Sequence, residues 1–260
     1  MFNITDIINS RLFYILPKFI CDKIISRIIY FEKTNKKKLP YNNYQLTIND
    51  LNFKEKIKYY NKININKLHY TIPYLPTILK ILFNDKKINL LDYGAGDIKN
   101  FFYLNNNLKN LNYFYKDQDQ IENLIKKENF LKKFNNFNIF KKENKNQINI
   151  IHFGSSFQYI ENIQEILNVI NIKKIKYIII SGIIIFKKGH VKRFVCLQKN
   201  IPNKILYLYF YNIKFLLHFF KKKNFNLVSI LRNSTDKYMN WNNFQNNHYE
   251  YCDIIFKNDK

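Results

Sequence analysis

The chain is short of several residue types, and each shortage narrows the choice of protein class. Its 260 residues include three cysteines, Cys21, Cys196 and Cys252. Their odd number and wide separation exclude a disulfide framework, and no pair has zinc-ligand spacing, so we expect no metal site. We expect idle or buried thiols in a reducing compartment, the cytoplasm. A chain that is 47% hydrophobic and 17% aromatic is also not a disordered one.

Arginine is scarce although the chain is strongly basic. The formal net charge is +24 at pH 7, which suggests a polyanionic partner such as RNA. However, the abundant residues (Lys, Asn, Ile, Phe, Tyr) are those of AT-rich codons, and alanine occurs once. Genome composition therefore accounts for much lysine, and a phosphate-binding protein would use more arginine for bidentate contacts. Nucleic-acid binding remains an alternative. The arginines are Arg11, Arg27, Arg193 and Arg232.

Long apolar runs are missing too. The longest, Tyr177–Phe186, is too short to cross a bilayer. The first thirty residues are apolar but are interrupted by Arg11, Pro17 and Asp22, unlike a signal peptide. We expect an amphipathic helix packed on the body of the protein, with attachment to an anionic membrane surface as the alternative.

The distribution of glycine divides the chain. No glycine precedes residue 70, and helical spacing is found over Asp6–Phe31 and Thr71–Phe83, with a lysine-rich connector at Thr34–Pro40. We interpret residues 1–74 as a helical N-terminal extension and residues 75–260 as the main domain.

From residue 87 onward, strand and helix patterns alternate. This order predicts an α/β fold: a Rossmann-like, mostly parallel sheet with a terminal antiparallel strand pair. Asn212 is a plausible N-cap for one of the helices. The aromatic residues Tyr207, Tyr209, Phe210 and Tyr211 could form a stacking surface, but ordinary packing is the preferred interpretation. The predicted strands are 87–93, 111–115, 137–140, 148–153, 177–185, 227–231 and 251–256, and the helices cover 98–108, 121–130, 163–170 and 213–220.

One turn contradicts the composition of the rest of the chain. In Asp92-Tyr93-Gly94-Ala95-Gly96, two of the five glycines flank the only alanine. Small residues between a strand and a helix allow backbone N–H groups to approach a ligand, and open α/β sheets bind ligands at this edge. Asp117 follows the next predicted strand, where an acid can bind ribose hydroxyls. Asp119 competes for that role, and a purely structural turn is the alternative.

The turn also indicates which nucleotide to expect. A dinucleotide site needs a third glycine, and here Gly94-Ala95-Gly96 is followed by Asp97, Ile98 and Lys99, so that glycine is missing and a nicotinamide oxidoreductase is disfavoured. The pattern D-x-G-x-G instead resembles the first motif of class I S-adenosylmethionine-dependent methyltransferases. Residues 148–160 (INIIHFGSSFQYI) resemble the fourth-strand motif of that class, and the likeness covers residues 75–260.

Within that class the chain is similar to a little-characterised bacterial family whose members often accompany surface-polysaccharide genes. This likeness rests on DYGAG, SSFQYI (155–160), RFVCLQKNIP (193–202) and the aromatic segment 206–220. Ile98 and Ser181-Gly182 depart from the pattern, the latter standing where a charged residue is expected after the fifth strand. A catalytically inactive module used for assembly is therefore an alternative.

The resemblance implies S-adenosylmethionine as cofactor and a small-molecule or glycan-related methyl acceptor. A general base is needed only for a weakly acidic hydroxyl, and His152, His190 and Tyr159 are the possible bases. For any single histidine we prefer a structural or surface role. The residues implied for the cofactor are Asp92, Tyr93, Gly94, Gly96, Asp117, Gly154, Ser155 and Ser156, and the acceptor candidates are Gln158, Tyr159, His190 and Arg193.

Overall fold

A ten-stranded sheet with helices on both faces forms the described part of the chain. The computed structural model describes residues 29–40, 74–84, 86–96, 98–200, 204–232 and 248–259. The strands are β1 (Ile29–Lys33), β2 (Ile88–Tyr93), β3 (Leu111–Lys116), β4 (Phe137–Ile139), β5 (Ile150–Gly154), β6 (Tyr177–Phe186), β7 (Arg193–Asn200), β8 (Lys204–Asn212), β9 (Phe225–Arg232) and β10 (Tyr249–Asn258). The helices are α1 (Leu75–Phe83), α2 (Lys99–Asn107), α3 (Asp119–Lys126), α4 (Ile163–Val169) and α5 (Ile213–Lys221).

The strand order confirms the predicted fold class. Parallel strands run in the order β4-β3-β2-β5-β6, and β10 lies antiparallel between β6 and β9. The two closing strands are therefore the expected antiparallel pair. Every residue of β6 is buried, as expected for a strand inside a sheet whose sequence is apolar except for Ser181 and Gly182.

Alternating side chains of the strands build a core on each face. On one face, Ile151, Phe153 and Ile180 pack with apolar residues of α4 and α5. On the other face, Leu90 and Ile179 pack with residues of α1, α2 and α3. The sheet is thus covered on both sides, which leaves the ends of its strands as the place for polar chemistry.

An antiparallel group of three strands was missed from the sequence. β7 and β8 form a hairpin between β6 and α5, and β8 continues the sheet from the end of β6 through Ile185 and Phe186. β1 pairs with β7 as the outer strand. The prediction of a helix as far as Phe31 was wrong, because β-branched and aromatic residues at 29–31 favour a strand, and Phe31 is buried against Phe210. Residues 1–28 and 41–73 of the extension, with Cys21, lie outside the described residues.

Several local predictions can be compared with the model. Asn212 caps α5 by accepting a hydrogen bond from the Lys214 N–H, as predicted. Tyr209, Phe210 and Tyr211 are buried, so packing rather than an exposed stacking surface is their role. The predicted helix to residue 130 ends at Lys126, and a short 3-10 helix follows. The long loop predicted after residue 232 lies almost wholly outside the described residues.

Two further findings concern membranes and thiols. Within the described ranges, no helix combines the length and the apolar character that a membrane span needs. Cys196 and Cys252 are buried, as the sequence led us to expect.

Candidate functional site

The loops that follow β2 and β5 meet at the carboxyl edge of the sheet. Ser156 Oγ donates a hydrogen bond to the Tyr93 carbonyl oxygen over 2.5 Å. Gly94 has a φ of +71°, and a Cβ on it would collide with the side chain of Ser156. The first glycine of the turn is therefore required both by its backbone conformation and by the neighbouring loop.

The backbone N–H groups of the turn are bonded inside the protein. Gly94 N donates to the Lys116 carbonyl oxygen over 2.8 Å, and Ala95 N shares that acceptor at 3.3 Å. Gly96 N donates to Asp117 Oδ2 over 2.7 Å. The sequence led us to expect that these N–H groups contact a ligand. In the structure they instead bind the turn to the end of β3. Open space remains beside Gly96, where an added Cβ would meet no atom within 4 Å.

Asp117 is the acid that contacts this turn. Besides Gly96 N it accepts a hydrogen bond from Gln118 N over 2.7 Å. Burial raises the pKa of its carboxyl above the usual value, against the lowering effect of these two hydrogen bonds. The competing residue, Asp119, is 93% exposed and lies 3.8 Å from Lys116 Nζ. The model therefore places Asp117, and not Asp119, against the glycine turn.

Asp92 lies within the sheet rather than on its edge. It has 0% exposure, and its Oδ2 accepts hydrogen bonds from Tyr113 Oη at 2.5 Å and Asn100 Nδ2 at 3.2 Å. Its Oδ1 lies 2.9 Å from His152 Nδ1, and His152 Nε2 lies 3.1 Å from Ser181 Oγ. This buried polar chain of Tyr113, Asp92, His152 and Ser181 crosses four adjacent strands. His152 is therefore a structural histidine in the sheet.

Ile98 has a backbone conformation that glycine adopts readily and other residues adopt rarely. Its φ is +60° and its ψ is 5°, the left-handed region, at the start of α2. This region is unfavourable for a β-branched residue. The Ile98 side chain is fully buried in the core formed with α2, and this burial offsets the backbone strain.

The loop after β5 connects to β6 and β10. Ser155 N donates to the Ser181 carbonyl oxygen over 2.7 Å, and Ser155 Oγ lies 3.4 Å from Tyr251 Oη. Gly182 lies between these two hydroxyl groups, so that a Cβ on it would collide with both. The predicted loop residues Gly154, Ser155 and Ser156 are thus held by neighbours on three sides.

The four acceptor candidates do not form one cluster. Gln158 is 5% exposed, and its Oε1 has no hydrogen-bond partner among the described residues. Tyr159 is enclosed, and burial raises the pKa of its hydroxyl. Arg193 instead lies over the Tyr209 ring at 3.8 Å and donates to the Glu161 carbonyl oxygen over 3.0 Å. His190 lies in the exposed turn between β6 and β7.

Several residues of this region were not found from the sequence. Tyr113, Asn100 and Ser181 complete the bonds of the buried polar chain, and Tyr251 encloses Ser155. Asp253 is a further case, because its carboxyl accepts a hydrogen bond from Gly182 N over 2.6 Å. A signal for Asp253 existed, since it is the one acid inside the apolar run 251–256. In the described part of the chain, no group of three or more His, Cys, Asp or Glu could hold a metal ion.

Several solved structures with a similar overall arrangement are methyltransferases. One is the 1,6-didemethyltoxoflavin-N1-methyltransferase of Burkholderia thailandensis with bound 1,6-didemethyltoxoflavin and S-adenosylhomocysteine, at 10% identity and a TM-score of 0.46, covering 88% of this chain and 95% of that one. Others are S-adenosylmethionine-dependent methyltransferases from Aquifex aeolicus (14%, TM-score 0.45, 78% and 97% covered) and Clostridium acetobutylicum (13%, 0.43, 80% and 99%).

No family model matches the chain, and no curated protein matches it in sequence.

The backbone strain at Ile98 can be measured with a matched pair of variants. Ile98→Gly and Ile98→Ala both lose the buried side chain, but only glycine accepts a positive φ without penalty. Loss of the buried side chain should lower the unfolding free energy of both variants by about 2–5 kcal/mol relative to the natural protein. Because glycine relieves the backbone strain, we expect Ile98→Gly to be more stable than Ile98→Ala by about 1–2 kcal/mol. Urea unfolding measures both differences. Equal stability of the two variants would contradict the left-handed conformation.

The buried polar chain predicts unequal costs for two of its members. Asp92→Ala leaves the partners Tyr113, Asn100 and His152 without their acceptor, and we expect a loss of about 3–5 kcal/mol of unfolding free energy. Tyr113→Phe removes one hydroxyl, and we expect about 1–2 kcal/mol. Denaturant unfolding at fixed pH compares them. If Asp92→Ala cost no more than Tyr113→Phe, the chain of bonds would not be the structural support described here.

Proposed function

We propose that the protein is an S-adenosylmethionine-dependent methyltransferase acting on a small-molecule or glycan-related acceptor. The observation that carries this proposal is the meeting of the D-x-G-x-G turn with Asp117 at the carboxyl edge of a parallel sheet. A ligand edge of this kind, with an acid at the end of the second parallel strand, suits an adenosine group.

The residues at this edge fit the cofactor. Gly96 faces open space that a side chain would fill, and the Asp117 carboxylate lies against it. A carboxylate with spare acceptor capacity binds vicinal hydroxyl groups well. We therefore assign the ribose of the cofactor to Asp117. We assign the open space beside Gly96 to the adjoining part of the cofactor. When bound, S-adenosylmethionine supplies an electrophilic methyl group on a sulfonium centre.

Asp92 supports the site from beneath in this proposal. Its oxygens are used by Tyr113, Asn100 and His152, so it holds the end of β2 and the start of α2 in place. Tyr93, Gly94 and the Gly154–Ser156 loop form the adjacent wall. Orientation of two reactants in such a fixed frame accounts for a large share of catalysis in group transfer.

Gln158 is the residue we assign to the acceptor. A buried carbonyl oxygen without a partner carries a cost of about 1–3 kcal/mol, which a ligand N–H or O–H group would remove. Arg193 is proposed to position this side of the site, because it joins the β7–β8 hairpin to Glu161 beyond the same loop. We propose His190 as a contact of the methyl acceptor only because it lies in the neighbouring turn between β6 and β7.

Matched aspartate variants test the cofactor assignment. Asp117→Asn keeps an acceptor for Gly96 N but loses the charge offered to ribose hydroxyls, so we expect S-adenosylhomocysteine affinity to fall by about 10–100-fold. Asp119→Asn, two residues away and exposed, is the control and should bind as the natural protein does. Isothermal titration calorimetry with S-adenosylmethionine, S-adenosylhomocysteine and NAD gives the three affinities.

Each other outcome has a definite meaning. Absence of binding by folded natural protein would overturn the methyltransferase proposal, and binding of NAD alone would favour an oxidoreductase. Cofactor binding with salt-sensitive RNA affinity would favour an RNA methyltransferase. Cofactor binding without turnover on any acceptor would favour the inactive assembly module.

A further inference from the structure

The central strand β6 is interrupted where it faces Asp253 of β10. Cys252 pairs with Ile183 and Ile254 with Ile180, so Ser181 and Gly182 both stand opposite Asp253. Gly182 has a φ of +67° and donates its N–H to Asp253 Oδ1 over 2.6 Å. Asp253 is 1% exposed. Its carboxyl is therefore built into the irregular part of the sheet.

The two residues opposite Asp253 also hold the candidate site. Ser181 Oγ lies 3.1 Å from His152 Nε2, at the end of the polar chain that includes Asp92. The Ser181 carbonyl oxygen accepts the hydrogen bond of Ser155 N, and Gly182 lies between the hydroxyls of Ser155 and Tyr251. A shift of Gly182 would consequently be transmitted to the loop after β5.

We propose that Asp253 is a positioning residue of the site, which fixes the Gly154–Ser156 loop through Gly182 and Ser181. The proposal rests on the proposed function only in taking this loop as a wall of the cofactor site, because the linkage itself exists without any ligand. Ser181-Gly182 stands where the sequence resemblance leads one to expect a charged residue. The nearby carboxyl comes from another strand, β10.

Because Asp253 can ionise, this linkage can be tested by changing the pH. Burial raises the pKa of its carboxyl to about 7, against the lowering effect of the Gly182 hydrogen bond. The folded-state pKa is above the unfolded value of 3.8, so the contribution of Asp253 to stability is lost as the pH rises toward 7. Several other ionisable groups lie near Asp253. Tyr251 and Cys252 are on β10, and Arg232 lies opposite Cys252 on β9. Tyr159 lies beyond Tyr251, and His152 and Asp92 lie behind Ser181.

The small number of glycines makes the linkage observable. The chain has five, each preceded by a different residue type: Tyr93-Gly94, Ala95-Gly96, Phe153-Gly154, Ser181-Gly182 and Lys188-Gly189. Labelling glycine with ¹⁵N, and one preceding residue type at a time with ¹³C at the carbonyl, therefore assigns every glycine amide signal. Gly182 reports directly on Asp253, and Gly154 reports on the loop.

We expect the Gly182 amide signal to titrate with a midpoint near pH 7, and the Gly154 signal to follow with the same midpoint. Asp253→Asn keeps an oxygen for Gly182 N but does not ionise, so this shared titration should disappear. Asp259→Asn, an exposed acid just beyond the same strand, should leave it unchanged. Gly189, in the exposed turn between β6 and β7, serves as a reference signal that should be the same in the natural protein and in both variants.

Two results would overturn the proposal. One is a Gly182 signal that titrates while Gly154 does not, which makes Asp253 an isolated structural carboxyl. The other is a shared titration that persists in Asp253→Asn and so arises from a group other than Asp253. The natural protein alone supplies the first test if the variant does not fold.

S-adenosylhomocysteine affinity at pH 6 and pH 8 separates this proposal from the proposed function. We expect a change of about fivefold or more in the natural protein and none in Asp253→Asn. Absence of binding at both pH values, with the glycine titration intact, would reject the methyltransferase function and leave the linkage standing. Binding that is equal at both pH values in the natural protein would reject the role of Asp253 in positioning the cofactor site.

Discussion

The arrangement of the sheet depends on one fully buried carboxylate, that of Asp92. A charge or polar group in an apolar interior is tolerated only when its hydrogen bonds are satisfied there. Tyr113 on β3 and His152 on β5 supply those bonds from the two neighbouring strands, and Ser181 on β6 satisfies the far side of the histidine. The register of four parallel strands is therefore fixed by polar contacts as well as by apolar packing. The candidate site lies directly above this chain of bonds.

A second constraint is backbone shape at the edge of the sheet. Gly94 and Gly182 both have positive φ angles, and each is packed so closely by a serine that a side chain could not be added. Ile98 has the same kind of backbone conformation with a β-branched side chain, and the burial of that side chain offsets the strain. Gly96 differs from these positions, since it faces open space. Of the two glycines of the turn, Gly96 is the one where an added Cβ would meet no neighbouring atom.

Local patterns in the sequence predicted most of the doubly covered sheet but not the inserted hairpin. Apolar runs that end in polar residues predicted β2, β3, β5 and β6. Such runs are typical of strands that are buried on both faces of a parallel sheet. The β7–β8 hairpin was missed because its aromatic residues pack in two cores, so no simple alternation distinguishes it. The partners of Asp92 could not be predicted either. They come from other strands, and only the folded register brings them together.

The candidate site likewise contains residues whose contacts follow from the order of the strands and residues whose contacts depend on the folded register. Asp117 and the D-x-G-x-G turn are close in the chain to the strands that carry them, so their meeting follows from parallel topology alone. Asp253 is 71 residues from Gly182 and reaches it only because β10 returns antiparallel beside β6. A carboxyl brought in by the last strand couples the closure of the sheet to the loop after β5. The strand that closes the sheet beside β6 therefore also supplies the carboxyl that holds Gly182.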